Sequence, residues 1–304
     1  MESVTASQEH YFKVADLLLQ VVLPATCDVA AILPTFAAFS IQHTDDDQPI
    51  FRLSVTFDKA PEPDEELQLL TEESLVWGDN FRFCESAGAY QTNLATSGQS
   101  AEWVMRSTKN FAENVVYAPA EEMESTSVLG WLLMVAFAQA AVRFKTLLIH
   151  ASVVERAGKG VAFLGKSGTG KSTHSRLWLS HIAGFQLLND DNPAIRIQDD
   201  HSVTIYGTPW SGKTSCYRNL GVQLEAVVRL SQAKENVFTR LEGKEALVAL
   251  LPSGSALRWN KGLFSSMTSI LSDIVSHVCI GHLACLPNQD AAELCYKNTI
   301  EKNI

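Results

Sequence analysis

One stretch limits what this chain can fold into more than any other. A short apolar run, Gly160-Val161-Ala162-Phe163-Leu164, feeds into Gly165-Lys166-Ser167-Gly168-Thr169-Gly170-Lys171-Ser172, and Thr173 to Ile182 continues with helical composition. The central run fits G-x-x-x-x-G-K-[ST] at every fixed position, between the strand and the helix that this loop requires. Its glycines let the backbone wind tightly enough for successive N–H groups to converge on phosphate oxygens. The following helix aims its positive end at the same anion. Residues Gly165 through Thr173 are therefore expected to bind a nucleotide. Lys171 would supply charge to the β- and γ-phosphates, and the Ser172 hydroxyl would be a Mg²⁺ ligand.

Downstream, Phe185–Leu188 reads as a strand leading to Asn189-Asp190-Asp191. Two adjacent carboxylates at a strand end can reach one pocket. One can hold Mg²⁺ while the other accepts the proton of an attacking hydroxyl. The expectation gives Asp190 the base role and Asp191 the metal role. His150, on the strand ahead of the loop strand, reads from its own position as a hydrogen-bonded structural group as readily as a catalytic one.

The remaining composition sets the frame. With 46% hydrophobic and 19% charged residues the chain is an ordinary globular one. Its charge is uneven: residues 1–120 carry 6 Lys+Arg and 18 Asp+Glu (net −12), and residues 121–304 carry 18 and 16 (net +2). An acidic half of this kind argues against nucleic-acid binding, which needs clustered Lys and Arg for phosphate contacts. The six cysteines lack C-x-x-C spacing, so neither a zinc site nor a disulfide framework is expected. No charged-then-apolar leader follows Met1, which makes the cytoplasm the expected compartment. The longest apolar run, Val128 to Val142, is too short to cross a bilayer, so no membrane partner is expected.

Two modules are expected. Residues 1–120 alternate like strands: Phe51, Leu53, Val55 and Phe57 point one way, and Arg52, Ser54 and Thr56 the other. Leu75-Val76-Trp77 and Phe81-Arg82-Phe83 flank a hairpin turn at Gly78-Asp79-Asn80, and Trp103–Met105 and Val115–Tyr117 are further strands. This acidic module is read as small and mainly antiparallel. Residues 121–304 begin with a helix over Val128–Phe144, pass through a strand over Leu147–Val153 and a turn at Gly158-Lys159-Gly160, and mix helices with hairpins to the end. That order predicts an α/β unit with a mixed sheet.

Ile149-His150-Ala151-Ser152, the phosphate loop and Asn189-Asp190-Asp191, in this order and spacing, resemble the HPr kinase/phosphorylase and ATP-dependent phosphoenolpyruvate carboxykinase superfamily, over roughly residues 145–300. The resemblance implies a PEP carboxykinase-like core and ATP with Mg²⁺ as cofactors. It also places His150 beside the transferred phosphate and makes Asp190 and Asp191 the base and metal pair. Arg218-Asn219-Leu220-Gly221-Val222 resembles the Arg-Gly-Leu-Gly-Ile segment of HPr kinases, which implies that Arg218 stands near the phosphate. Gly207-Thr208-Pro209-Trp210-Ser211-Gly212-Lys213 reads either as a loop bringing Lys213 to the γ-phosphate or as a plain surface turn.

The implied activity is a kinase moving the γ-phosphate of Mg·ATP to a hydroxyl, such as a serine, of a protein, peptide or metabolite. The alternatives are a non-catalytic ATP-binding regulator and a carboxykinase- or phosphorylase-like enzyme. HPr kinases are oligomers, so the resemblance also implies a homo-oligomer.

Overall fold

A computed structural model describes residues 6–43, 47–62, 66–71, 81–95, 102–212 and 214–301. The chain divides into two compact units, 1–140 and 141–304. Both units are built on β-sheet and the second alternates strands with helices, so the architecture is mixed α/β.

The first unit contains β1 (Ser7–Val14), β2 (Leu17–Pro24), α1 (Val29–Ile32), β3 (Ser40–Ile41), β4 (Phe51–Thr56), β5 (Gln68–Thr71), β6 (Phe81–Glu85), β7 (Ala89–Leu94), β8 (Trp103–Thr108), β9 (Glu113–Tyr117) and α2 (Val128–Ala140). Among the described residues the strands form one sheet in the order β3-β1-β2-β4-β9-β8-β7-β6-β5. β2–β4 and β4–β9 are parallel pairs and the other neighbours are antiparallel. Ala15 and Asp16, both at positive φ, make the two-residue turn between β1 and β2. In β4 the expected alternation holds through Val55, but Phe57 lies past the strand end and is 37% exposed. The Gly78-Asp79-Asn80 turn and Leu75–Trp77 lie outside the described residues. Helix α2 is apolar on all sides, as a helix buried on all sides must be. It packs on β4 and β8 of this sheet. The helix therefore goes with the first unit, whereas the sequence reading placed it after a boundary at residue 120. A 3₁₀ turn, Ala141–Phe144, follows it.

The second unit contains β10 (Thr146–Leu148), β11 (Ala151–Arg156), β12 (Lys159–Leu164), α3 (Lys171–His181), β13 (Gln186–Asp191), β14 (Ala194–Ile197), β15 (Val203–Tyr206), β16 (Gly221–Gln232), β17 (Val237–Arg240), α4 (Gly243–Leu250), α5 (Lys261–His277), β18 (Cys279–Cys285) and α6 (Gln289–Thr299). The strand order is β10-β14-β15-β16-β12-β11-β13, with β18 beside β16 and β17 beside β18. β16 is the long central strand. Its first residues pair with β15, and from Ala226 onward that side pairs in parallel with β18. Its other side runs parallel to β12, the strand that enters the phosphate loop. The expected mixed sheet is present.

The core between this sheet and α3 and α6 contains Val161, Phe163, Trp178, Phe185, Val228 and Leu283. Trp178 is fully buried and packs edge-on against both Phe185 and Tyr296. At about 25 cal/mol per Å² of apolar surface, each large side chain buried here stabilises the fold by roughly 2–3 kcal/mol. The turn between β11 and β12 falls at Ala157-Gly158, both at positive φ, one residue earlier than the sequence suggested. Gly160 is inside β12, where a Cβ would come within 2.9 Å of Val222 Cγ2. Among the described residues no helix is long and apolar enough to cross a membrane. The six cysteines are free thiols.

Candidate active site

The single strand expected over Leu147–Val153 is broken at Ile149-His150. β10 pairs with β14, whereas β11 pairs with β12 and β13, so the chain changes neighbours between them. At the break the His150 amide donates to Ser253 O at 2.8 Å. Antiparallel pairing sets Ala151 opposite both Leu164, the last residue before the phosphate loop, and Asp191, the last residue of β13. Register alone thus brings His150, the loop and the carboxylates to one end of three adjacent strands.

The loop winds through left-handed glycines. Gly168 and Gly170 adopt φ of 79° and 109°, which side-chain-bearing residues rarely take up. Gly170 caps α3 without a side-chain hydrogen bond, and Lys166, Ser167 and Gly168 are exposed at the crest. Of the first-turn residues, Thr173 faces solvent and His174 is buried.

Two hydrogen-bonded chains leave the loop. In the first, Lys171 Nζ donates to Gly165 O at 3.0 Å and lies 2.9 Å from His150 Nε2. His150 Nδ1 lies 3.0 Å from Asp191 Oδ1. A protonated Lys171 can only donate, so Nε2 accepts and the neutral imidazole carries its proton on Nδ1, directed at Asp191. The second oxygen of Asp191 accepts from Asn192 Nδ2 at 2.9 Å. In the second chain, Ser172 Oγ donates to Asp190 Oδ1 at 2.9 Å. Asp190 is 6% exposed, while the Asp191 side chain is 28% exposed.

Burial pushes the Lys171 ammonium below its ordinary pKa, Asp191 and Asp190 pull it back in part, and Arg229 adds to the lowering. Arg229 sits opposite Leu164 in the parallel β12–β16 pairing, beside the loop entrance. No local pattern marked it as a site residue.

Asn189 was read only as a neighbour of the acidic pair, yet it organises the bend. It is fully buried, and its Oδ1 accepts from the amides of Asp191 and Asn192, both at 3.1 Å. Its Nδ2 donates to Thr208 O, Thr208 Oγ1 and Trp210 O at 3.3–3.4 Å. Thr208 Oγ1 in turn donates to Asn192 O at 2.7 Å. The segment from Gly207 to Gly212 is therefore neither a free loop nor a surface turn. Thr208 and Trp210 are buried, the Gly212 amide donates to Asp190 O at 2.7 Å, and Ser211 forms a bridge with Asp191. A Cβ at Gly212 would stand 2.9 Å from Asp190 O. Lys213 lies outside the described residues.

Arg218 is not brought to the site. Its guanidinium donates to Glu155 Oε1 at 2.9 Å and to Leu187 O at 2.8 Å. Glu155 pairs with Gln186, four residues along β11 from Ala151. At ~3.3 Å per strand residue that is about 13 Å from the carboxylate end. The Ser172–Asp190 and His150–Asp191 pairings also reverse the expected partnership of Ser172 with Asp191.

His174 is 3% exposed and accepts from Trp178 Nε1 at 3.2 Å, with its ring edge-on to Phe163. Burial lowers its pKa to about 4. It is a neutral packing residue.

No curated protein matches the chain. Among solved structures, the HPr(Ser) kinase/phosphatase from Coxiella burnetii aligns with 51% of this chain and 94% of its own, at 13% identity and a TM-score of 0.29. The family model described as SynChlorMet cassette protein ScmC matches residues 117–274, just over half of the sequence. The chain belongs to the ScmC family.

Proposed function

We propose that the second unit is a phosphotransferase on a core of the PEP carboxykinase and HPr kinase type, moving the γ-phosphate of Mg·ATP to a hydroxyl of a protein, peptide or metabolite. The observation that carries this reading is the direct hydrogen bonding of both Lys171 and Ser172, the two reactive side chains of the loop, to an acid–base cluster. A loop that merely held Mg·ATP would use one carboxylate for the ion, and the second carboxylate with its histidine partner is what a transfer reaction adds.

The pairings support one division of roles. Ser172 and Asp190 present hard oxygen donors side by side, which is the donor set Mg²⁺ takes beside substrate phosphates. Bound there, the ion would supply charge neutralisation between the β- and γ-phosphates. Asp191, the more exposed carboxylate, is oriented by His150 and Asn192, and each of its oxygens keeps a second lone pair. It takes the proton of the acceptor hydroxyl as that oxygen bonds to the γ-phosphorus and the bond to the β-phosphate oxygen breaks, releasing ADP. Lys171 and the positive end of α3 stabilise the charge on the transferring group. The base and metal roles are thus exchanged relative to the sequence reading, and Arg218 has no part.

The test is transfer of labelled γ-phosphate from Mg·ATP into size-fractionated cell extract, with Lys171→Ala as the blank. Label that depends on the intact protein supports the kinase. ATP binding without label refutes it and leaves a regulator. Calorimetry then separates the carboxylates. Asp191→Asn should abolish transfer and keep Mg-dependent ATP binding, whereas Asp190→Asn should lose the Mg dependence. The reverse result would restore the roles read from sequence.

A further inference from the structure

Beside the phosphate loop, on the side away from His150 and the two carboxylates, lies a cavity of about 510 Å³. Its walls come from the loop crest, the first turns of α3, the end of β16 and the chain leaving β18. Thr173, Leu177, Leu230, Gln232, Cys285 and Leu286 are among the lining residues. Its size falls in the range of roughly 300–1,000 Å³ typical of small-molecule clefts.

Two properties decide what it suits. The first is charge. The loop region is crowded with ionic groups, yet among the described residues no Asp, Glu, Lys or Arg lines the cavity. The one titratable ring on its wall, His174, is neutral at working pH. An ionic ligand would find no counter-charge here. A flat neutral heterocycle would find leucine side chains for its faces and the Gln232 amide for its polar edge, with Ser231 Oγ, 2.9 Å from His282 Nε2, beside it. The second property is position. Ser172 turns toward Asp190, while the next residue, Thr173, borders the cavity. Phosphates seated on the loop would therefore run from the catalytic cluster at one end to the cavity at the other.

Resting on the phosphotransferase reading, we propose that this cavity takes the base and sugar of the nucleotide, so that the terminal phosphate points at His150 and Asp191. The half-buried Cys285 thiol on its wall would then be covered by the bound nucleoside.

That thiol reports occupancy without any change to the protein. The rate of its alkylation by iodoacetamide, mapped by mass spectrometry, is compared for the wild-type chain alone, with Mg·ATP and with Mg·tripolyphosphate, using Cys27 of the first unit as internal reference. Mg·ATP at ten times its Kd should slow Cys285 alkylation by about tenfold. Tripolyphosphate, which fills the loop but carries no base, should leave it unchanged. Equal protection by both overturns the proposal. So does ATP that binds in a Lys171-dependent manner and protects nothing; that result leaves the phosphotransferase reading intact. Failure of both ligands to bind removes the proposal together with that reading.

Discussion

Replacing Asn189 by alanine tests whether one buried amide sets the carboxylate end of β13. Two backbone donors lose their acceptor, the Asp191 amide at the half-buried strand end and the Asn192 amide in a residue 4% exposed. Orphaned buried donors cost about 1–3 kcal/mol each, so roughly 1 for the first and 2 for the second. The three contacts of Nδ2 with Thr208 and Trp210 are long, at 3.3–3.4 Å, and together add about 1 kcal/mol. The sum is about 4 kcal/mol, among the larger effects of a single substitution. With a urea slope of about 2 kcal/mol per M, the unfolding midpoint should fall by about 2 M. A shift below about 0.3 M would refute the reasoning, because it would show that the network contributes almost nothing. Asn189→Asp adds a second check. The acid keeps the accepting oxygen but turns another oxygen toward the Thr208 and Trp210 carbonyls, which raises its pKa in the folded state. The folded protein then binds more protons than the unfolded chain above pH ~4. Stability should therefore fall as pH rises, by about 1.4 kcal/mol per unit until the folded pKa is passed. Stability that rises with pH would mean that the two backbone donors outweigh the facing oxygens.

Two further outcomes follow from the site description. His174, at about 4 when folded and 6.5 when free, should cost stability as pH falls from 6.5 toward 4. The cost is roughly 3 kcal/mol in total, and His174→Gln should flatten that slope in urea titrations across the pH range. An unchanged slope would rule His174 out as its source. Arg218→Leu should leave Mg·ATP affinity within about twofold and cost about 1–2 kcal/mol of stability, because Glu155 loses its partner in a half-buried setting. A tenfold loss of affinity would return Arg218 to the phosphate.

The local motifs were legible because their chemistry is written in consecutive residues. The loop, the strand before it and the helix after it need no distant partner to be read. Asp190 and Asp191 were legible as a pair, but their partners were not, because register and side-chain direction decide which oxygen meets Ser172 and which meets His150. The two arginines show the same limit. Arg218 sits in a segment that looks like a phosphate-site motif, yet β11–β13 register carries its partner Glu155 to the wrong end of the sheet. Arg229 sits in an ordinary buried strand, and only its pairing opposite Leu164 brings it to the loop. Thr208 and Trp210 were misread because glycine, proline and serine around them have the composition of a surface turn. They lie beside β13 and hydrogen-bond Asn189, a contact between distant segments that composition does not carry. Helix α2 was legible as a buried helix, but an all-round apolar surface does not say which sheet it covers.

The hydrogen-bonded cluster around Lys171 and Ser172 and the cavity draw on very different lengths of chain. His150, Lys171, Ser172, Asp190 and Asp191 lie within about forty residues of one another, so the loops that bring them together are shorter and cost less entropy. The cavity needs Leu286 and the end of β18, close to the C-terminal helix. Contacts of low sequence separation form early and distant ones late. A chain emerging from synthesis would therefore bring His150, Lys171 and Asp191 together well before the wall beside the loop is complete.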